Sequence, residues 1–176
     1  SIAVLYNACD GMVNSFELVF DDMGSPAGSA EDVLSVDVDN DMDLDLVMVF
    51  DVGNPSPNHG FFNTYLNRGD GTRVNPFDQG YGGSFGQDAR WGCVGDINND
   101  NYIDVVVANL WCGDSTVSVF LNAGSVNPGF YQAGVAYVTD TLPGSASRVV
   151  ALSDFDNDGD LDMAVGNGTG NLGILS

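Results

Sequence analysis

Asp37-Val-Asp-Asn-Asp-Met-Asp-Leu-Asp45 returns as Asp96-Ile-Asn-Asn-Asp-Asn-Tyr-Ile-Asp104 and again as Asp154-Phe-Asp-Asn-Asp-Gly-Asp-Leu-Asp162. The three copies start at 37, 96 and 154, which is 59 and 58 residues apart, and they hold 13 of the 25 acidic residues. A segment repeated at a near-constant interval fixes the architecture first, because each copy must be one unit of an array. At 176 residues the chain has the length of a single domain.

The spacing inside each copy has a physical reason. Oxygen-bearing side chains at positions 1, 3 and 5 of a tight loop converge on one point. Position 7 adds its backbone carbonyl, and a carboxylate further on closes the shell around a hard cation such as Ca²⁺, which takes about six to eight oxygens. Here positions 1, 3 and 5 are Asp37, Asp39 and Asp41, then Asp96, Asn98 and Asp100, then Asp154, Asp156 and Asp158. Position 7 is Asp43, Tyr102 or Asp160, and position 9 is Asp45, Asp104 or Asp162. The second loop carries only three carboxylates, so it is expected to bind most weakly. Position 8 (Leu44, Ile103, Leu161) reads as an apolar anchor turned away from the metal. Position 6 calls for a residue tolerant of positive φ, which suits Gly159 and Asn101 and strains Met42. An acidic hairpin turn without metal is the alternative, but five carboxylates within nine residues repel one another unless a cation is present.

An EF-hand does not fit. Its twelfth position should be Glu and is Met48, Val107 or Val165, and its flanks should be helical. Each loop instead enters a β-branched run: Asp45 to Phe50, Asp104 to Ala108, Asp162 to Val165. An apolar strand also precedes each loop, at Val33 to Val36, Trp91 to Val94 and Arg148 to Leu152. Third strands end in Asn-x-Gly, at Asn63 to Gly69 and Thr116 to Gly124. A weaker fourth is expected over Phe130 to Val138. Four short strands per repeat, without helical periodicity, argue for an all-β array of four-stranded antiparallel β-propeller blades. The assignment is strands three and four of a partial blade over 1–29, a first blade over 30–87, a second over 88–146 and a partial third over 147–176.

Asp-x-Asp-x-Asp-Gly-x-Leu-Asp followed by a strand and an Asn-x-Gly-x-Gly turn, most complete over Asp154 to Gly170, resembles the FG-GAP/VCBS repeat family. That family includes the propeller head of integrin α chains, several lectins and many secreted bacterial surface proteins. The resemblance covers nearly the whole chain. It implies up to three Ca²⁺ ions, held in the three loops by the residues named above, and an extracellular or cell-surface location.

Net charge is −21, with Arg68, Arg73, Arg90 and Arg148 the only basic residues besides His59. No cationic footprint exists for nucleic acid or an anionic membrane surface. The longest apolar run, Leu46 to Phe50, is far short of a span. The start shows no secretory leader, so the chain is expected to be mature, trimmed or cytoplasmic. His59 lies in a Pro-rich loop and reads as exposed, and no nucleophile elbow or phosphate loop is present, so catalysis is not expected. Arg68-Gly69-Asp70 spells an adhesion tripeptide but fits an ordinary turn, and Asn167-Gly-Thr169 is a glycosylation sequon that is also turn-like. Cys9, Cys93 and Cys112 leave pairing open. Trp91, Trp111, Tyr6, Tyr65, Phe61 and Phe62 suit sugar stacking or, by default, packing between blades.

About three repeats, incomplete at both ends, fall short of a ring of about four to eight. The first expectation is therefore a non-enzymatic, calcium-stabilised structural or adhesive protein, completed by copies of itself or by further repeats as a ring or filament. A glycan-binding, lectin-like propeller and an accessory segment of a secreted enzyme are the other readings.

Overall fold

The computed structural model describes residues 2–7, 16–21, 28–52, 60–71, 77–85, 89–110, 115–142, 145–168 and 172–175. Among these it is all-β and antiparallel, without an α-helix and without any helix long and apolar enough to cross a membrane. β1 (Ile2–Asn7) pairs with β2 (Phe16–Asp21). β3 (Ser29–Val36), β4 (Asp45–Asp51), β5 (Gly60–Asn67) and β6 (Phe77–Phe85) form the first four-stranded blade in chain order. The second blade is β7 (Ala89–Gly95), β8 (Asp104–Asn109), β9 (Ser115–Phe120) and β10 (Val135–Asp140). β11 (Ser147–Ser153), β12 (Asp162–Asn167) and β13 (Leu172–Leu175) make the third sheet. The array is propeller-like, as the repeat implied.

Alternation along each strand gives every blade two apolar faces. Leu34, Val47, Val49 and Phe62 of the first blade meet Val94, Val105, Val107 and Phe120 of the second. The opposite face of the second blade, with Cys93, Val106, Ala108, Val117 and Val119, meets Val150, Leu152, Met163, Val165 and Leu175 of the third. β8 is buried at all six positions, because it is a central strand between two such interfaces. Each fully buried Val or Phe contributes about 1.5–3 kcal/mol, so these interfaces hold the blades together. The exposed ion pairs add little beside them. At the innermost strands, Arg90 of β7 pairs with Glu31 of β3 at 2.8 Å, and the Gly92 N–H donates to Asp32 at 3.0 Å.

Several expected strand limits shift. The third strand of the second blade stops at Phe120 rather than running to Gly124, because Gly124 has φ 65° and opens a 3₁₀ turn. The fourth begins at Val135 rather than Phe130. Residues 130–134 instead form a crossover pinned by a bridge between Asn122 and Tyr131. The first blade has a fourth strand, β6, that its Gly-rich sequence does not advertise. A Cβ at Gly82 would lie 1.7 Å from the Phe62 carbonyl oxygen, so only glycine lets β6 approach β5 there.

Candidate metal centre

Each acidic loop joins the first two strands of its blade and repeats one hydrogen-bond scheme. The position-1 carboxylate accepts the N–H groups of positions 5 and 6: Asp41 (3.2 Å) and Met42 (2.9 Å) to Asp37, and Asp100 (2.9 Å) and Asn101 (2.7 Å) to Asp96. In the third loop Asp158 (3.1 Å) and Gly159 (3.0 Å) donate to Asp154. The position-5 carboxylates of Asp41, Asp100 and Asp158 each accept the position-7 N–H at 2.9 Å, from Asp43, Tyr102 and Asp160. These turns need left-handed backbone at position 6, at Met42 (φ 78°), Asn101 (φ 67°) and Gly159 (φ 99°). Met42 therefore sits in the strained conformation its sequence position implies, with its side chain 92% exposed.

Position 9 is the buried pivot. Asp45 accepts N–H bonds from Val38 (2.9 Å) and Asn67 (2.7 Å), and Asp104 from Ile97 (2.9 Å) and Asn122 (2.8 Å). Asp162 accepts the Phe155 N–H at 2.9 Å. Burial pushes the Asp45 carboxyl up to about 6, against the two N–H bonds, with Asp39 and Asp41 adding repulsion. Asp104 is raised by the same causes, with Asp100 and Asp96 as the repelling acids. Asp39 and Asp156 are also raised, first by desolvation and then by neighbouring carboxylates.

Carboxylate oxygens of Asp37, Asp39 and Asp45 lie within 4.8 Å of one another, and so do those of Asp154, Asp156 and Asp162. The Asp39 Oδ1 atom is buried without a hydrogen-bond partner. Three acid groups converging around an orphaned anionic oxygen fit a hard cation. Asp41 and Asp158 stand outside these groups of three. In the second loop Asn98 replaces the third acid and its Nδ2 donates to Asp100 at 3.0 Å, so Asp96, Asp100 and Asp104 lack the matching third carboxylate. Asp43, Tyr102 and Asp160 hold position 7, where a backbone carbonyl rather than a side chain faces the loop centre in a calcium loop. Leu44 departs from its expected role: it is 61% exposed and anchors nothing. Ile103 and Leu161 are half-buried, and Leu161 lines an apolar cavity.

Position 4, which sequence reasoning passed over, is Asn in all three copies with positive φ: Asn40 (63°), Asn99 (58°) and Asn157 (63°). Asn40 Nδ2 donates to the Asn101 carbonyl at 2.9 Å and Asn99 Nδ2 to Asp160 Oδ1 at 2.5 Å. The first and second loops are thus each tied to the loop of the next blade. The Asn of the Asn-x-Gly turns adds a second tie. Asn122 Nδ2 donates to the carbonyls of Ile103 (3.2 Å) and, across the blade interface, Val38 (3.0 Å), while its Oδ1 accepts the Gly124 N–H. Asn67 does the same within the first blade, toward Leu44 and Gly69. Invariance of these residues among the copies was the available signal.

The other candidates resolve simply. Arg68 is held by both oxygens of Asp78, and Gly69 (φ 61°) lies against the Asp43 carboxylate, so the tripeptide forms an exposed turn whose arginine is already paired within the chain. Asn167 is 7% exposed and accepts from Thr139 and Ser147 hydroxyls at 3.2 Å, which withdraws the sequon asparagine from solvent. Tyr65 and Phe62 are core, Phe61 is half-buried and Trp91 is 46% exposed. Cys93 is a free thiol. His59, Arg73, Cys9, Cys112, Trp111, Thr169 and the side chain of Tyr6 lie outside the described residues.

Residues 96–165, from the second loop through most of β12, match the family model of the FG-GAP-like repeat. No curated protein matches the sequence.

Proposed function

We propose that this FG-GAP-like array is a calcium-stabilised, non-catalytic segment of an extracellular structural or adhesive protein, completed by further blades or by copies of itself. The observation that carries the metal is the convergence of Asp37, Asp39 and Asp45 around the unpartnered Asp39 Oδ1, repeated at Asp154, Asp156 and Asp162. Ca²⁺ there would offset the mutual repulsion of these acids and fix the loop against both flanking strands. The second loop, held by Asp96, Asn98, Asp100, the Tyr102 carbonyl and Asp104, would bind last.

The far face of the third sheet supports association. Register places Val149, Ala151, Ala164, Gly166, Leu172 and Ile174 on it. Their counterparts in the first two blades are mostly covered by a following blade, yet Val149, Leu172 and Ile174 are 49%, 68% and 63% exposed. The location rests on calcium as well: sites of this kind suit the high calcium found outside cells.

Thermal unfolding with and without chelator tests the reading. A ligand bound only by the folded state stabilises it by about 2.7 kcal/mol at a hundredfold excess over Kd. Calcium should raise the melting temperature, Mg²⁺ should substitute poorly, and Asp158→Ala should weaken one site of the set. A melting curve indifferent to chelation refutes the metal. Sedimentation of the calcium-loaded protein as a monomer at high concentration would leave further blades, not copies, to cover the third sheet.

A further inference from the structure

A cavity of about 380 Å³ opens between the second and third blades, walled by Ile97, Val119, Leu121, Val135, Leu161 and Leu175 among others. Its size falls within the range of roughly 300–1,000 Å³ of ligand pockets. The internal repeat identifies what such a space holds. Aligning the loops and the strand registers makes Ile97 the counterpart of Val38, Leu121 that of Leu66, and Leu161 that of Ile103. In the same way Leu175 stands where Phe120 stands one blade earlier, and Val135 falls level with the Gly80-Tyr81 bulge opposite Thr64.

One blade earlier the corresponding space is filled. Tyr131 packs edge-on against Phe62 with ring centroids 5.0 Å apart, and its hydroxyl donates to the Ile103 carbonyl at 3.3 Å. Phe130 stacks on Tyr81. Gly129, at φ 76°, lies over Leu66 and Val38 and lets the chain turn into the groove. The crossover is fastened at both ends, by Ala123 N–H to the Phe130 carbonyl at 2.7 Å and by Gln132 N–H to the Leu121 carbonyl at 2.8 Å. Of the walls that Gly129-Phe130-Tyr131 touches, Val38, Leu66 and Ile103 have counterparts lining the cavity in Ile97, Leu121 and Leu161, while Phe62 corresponds to Val117, which lies behind the lining; nothing among the described residues occupies the cavity.

We propose that this cavity is a binding site for an aromatic crossover peptide, a Gly-aromatic-aromatic segment that seats two rings between the second and third blades. The second ring enters beneath Leu161, where a tyrosyl hydroxyl meets the counterpart of the Ile103 carbonyl. The first ring lies on Val135. The glycine turns over Leu121 and Ile97. Continuity with the filled interface between the first two blades carries the assignment, and it does not depend on metal in the loops.

Met163 lines the cavity and Met42 is 92% exposed on a distant loop, so methyl-labelled methionine gives a probe and an internal control. The protein, in calcium buffer, is titrated with a synthetic peptide of residues 122–134, which contains the crossover. A saturable shift of the Met163 methyl, with Met42 unmoved, is expected. The same peptide carrying Phe130→Ala and Tyr131→Ala should bind about tenfold more weakly or worse, the equivalent of about 1.4 kcal/mol. Ala133→Trp, on the exposed rim, should abolish the shift. An unmoved Met163 methyl in the wild-type protein overturns the proposal, as does equal binding of the two peptides. A response to p-cresol but not to the peptide would assign the cavity to free small aromatics and overturn it too. A Met163 shift that grows with protein concentration alone would give the site to a second copy, with the same consequence.

Discussion

Calcium should reverse the sign of the protein's pH dependence. Burial raises the Asp45 carboxyl from 3.8 to about 6 in the calcium-free fold. Below about pH 4 the group is protonated in both folded and unfolded chains and contributes no difference. As pH rises, the unfolded chain ionises first, so folding loses stability until the folded pKa is passed. A shift of roughly two units at about 1.4 kcal/mol each amounts to about 3 kcal/mol lost at neutral pH from this residue. Asp39, Asp104 and Asp156 are shifted in the same direction. Calcium binds the ionised carboxylates, so protons compete with it and its contribution grows with pH. Two sites at a hundredfold excess over Kd supply about 5 kcal/mol, which outweighs the loss from Asp45. Urea unfolding at about pH 4.5 and pH 7, with metal stripped or with calcium, measures both slopes. The metal-free protein should be less stable at neutral pH, and the calcium form more stable there. Asp45→Asn should flatten the metal-free slope by about 3 kcal/mol, apart from a pH-independent cost of the lost acceptor. A metal-free protein that gains stability toward neutrality, or a calcium form with the same slope as the metal-free one, refutes the reasoning.

Four further outcomes follow, three from the asparagine bonds at the loops and one from the buried thiol. Asn122→Ala removes two donated bonds and strands the buried Gly124 N–H, so it should cost about 2–4 kcal/mol in urea unfolding. Asn67→Ala, at a more exposed site within one blade, should cost about 1 kcal/mol or less. Asn99→Gly keeps the left-handed backbone but loses the bond to Asp160, so amide exchange should quicken around Asp160 to Asp162 while β8 stays protected. The Cys93 thiol, pushed up to about 12 by burial and then by Asp32, should resist iodoacetamide in the folded protein and react on unfolding; fast native labelling would contradict its placement.

How much of this was legible depended on whether the determining contact was local. The loops and the strands beside them could be read because nine residues of one loop carry their own hydrogen-bond scheme, and because Val105 to Val107 can only be a buried strand. β6 could not be read: three glycines in a strand make sense only against Thr64, the Phe62 carbonyl and the Phe120 ring. The Asn at position 4 was visible as a repeat of Asn40, Asn99 and Asn157, but its partner lies 61 residues away on the next blade. The same distance hid the crossover. Residues 130–134 carry enough apolar character to pass for a strand, and only Phe62, far earlier in the chain, shows that Tyr131 is an inserted wedge. A repeat therefore informs in two ways. Where copies agree, as at Asp45, Asp104 and Asp162, they expose a shared local device. Where the same register position holds Tyr65, Phe120 and then Leu175, the change in side-chain volume has to be answered by something else in the interface. Between the first two blades that answer is an aromatic crossover seated against Phe62 and Tyr81, and between the second and third the register asks for another.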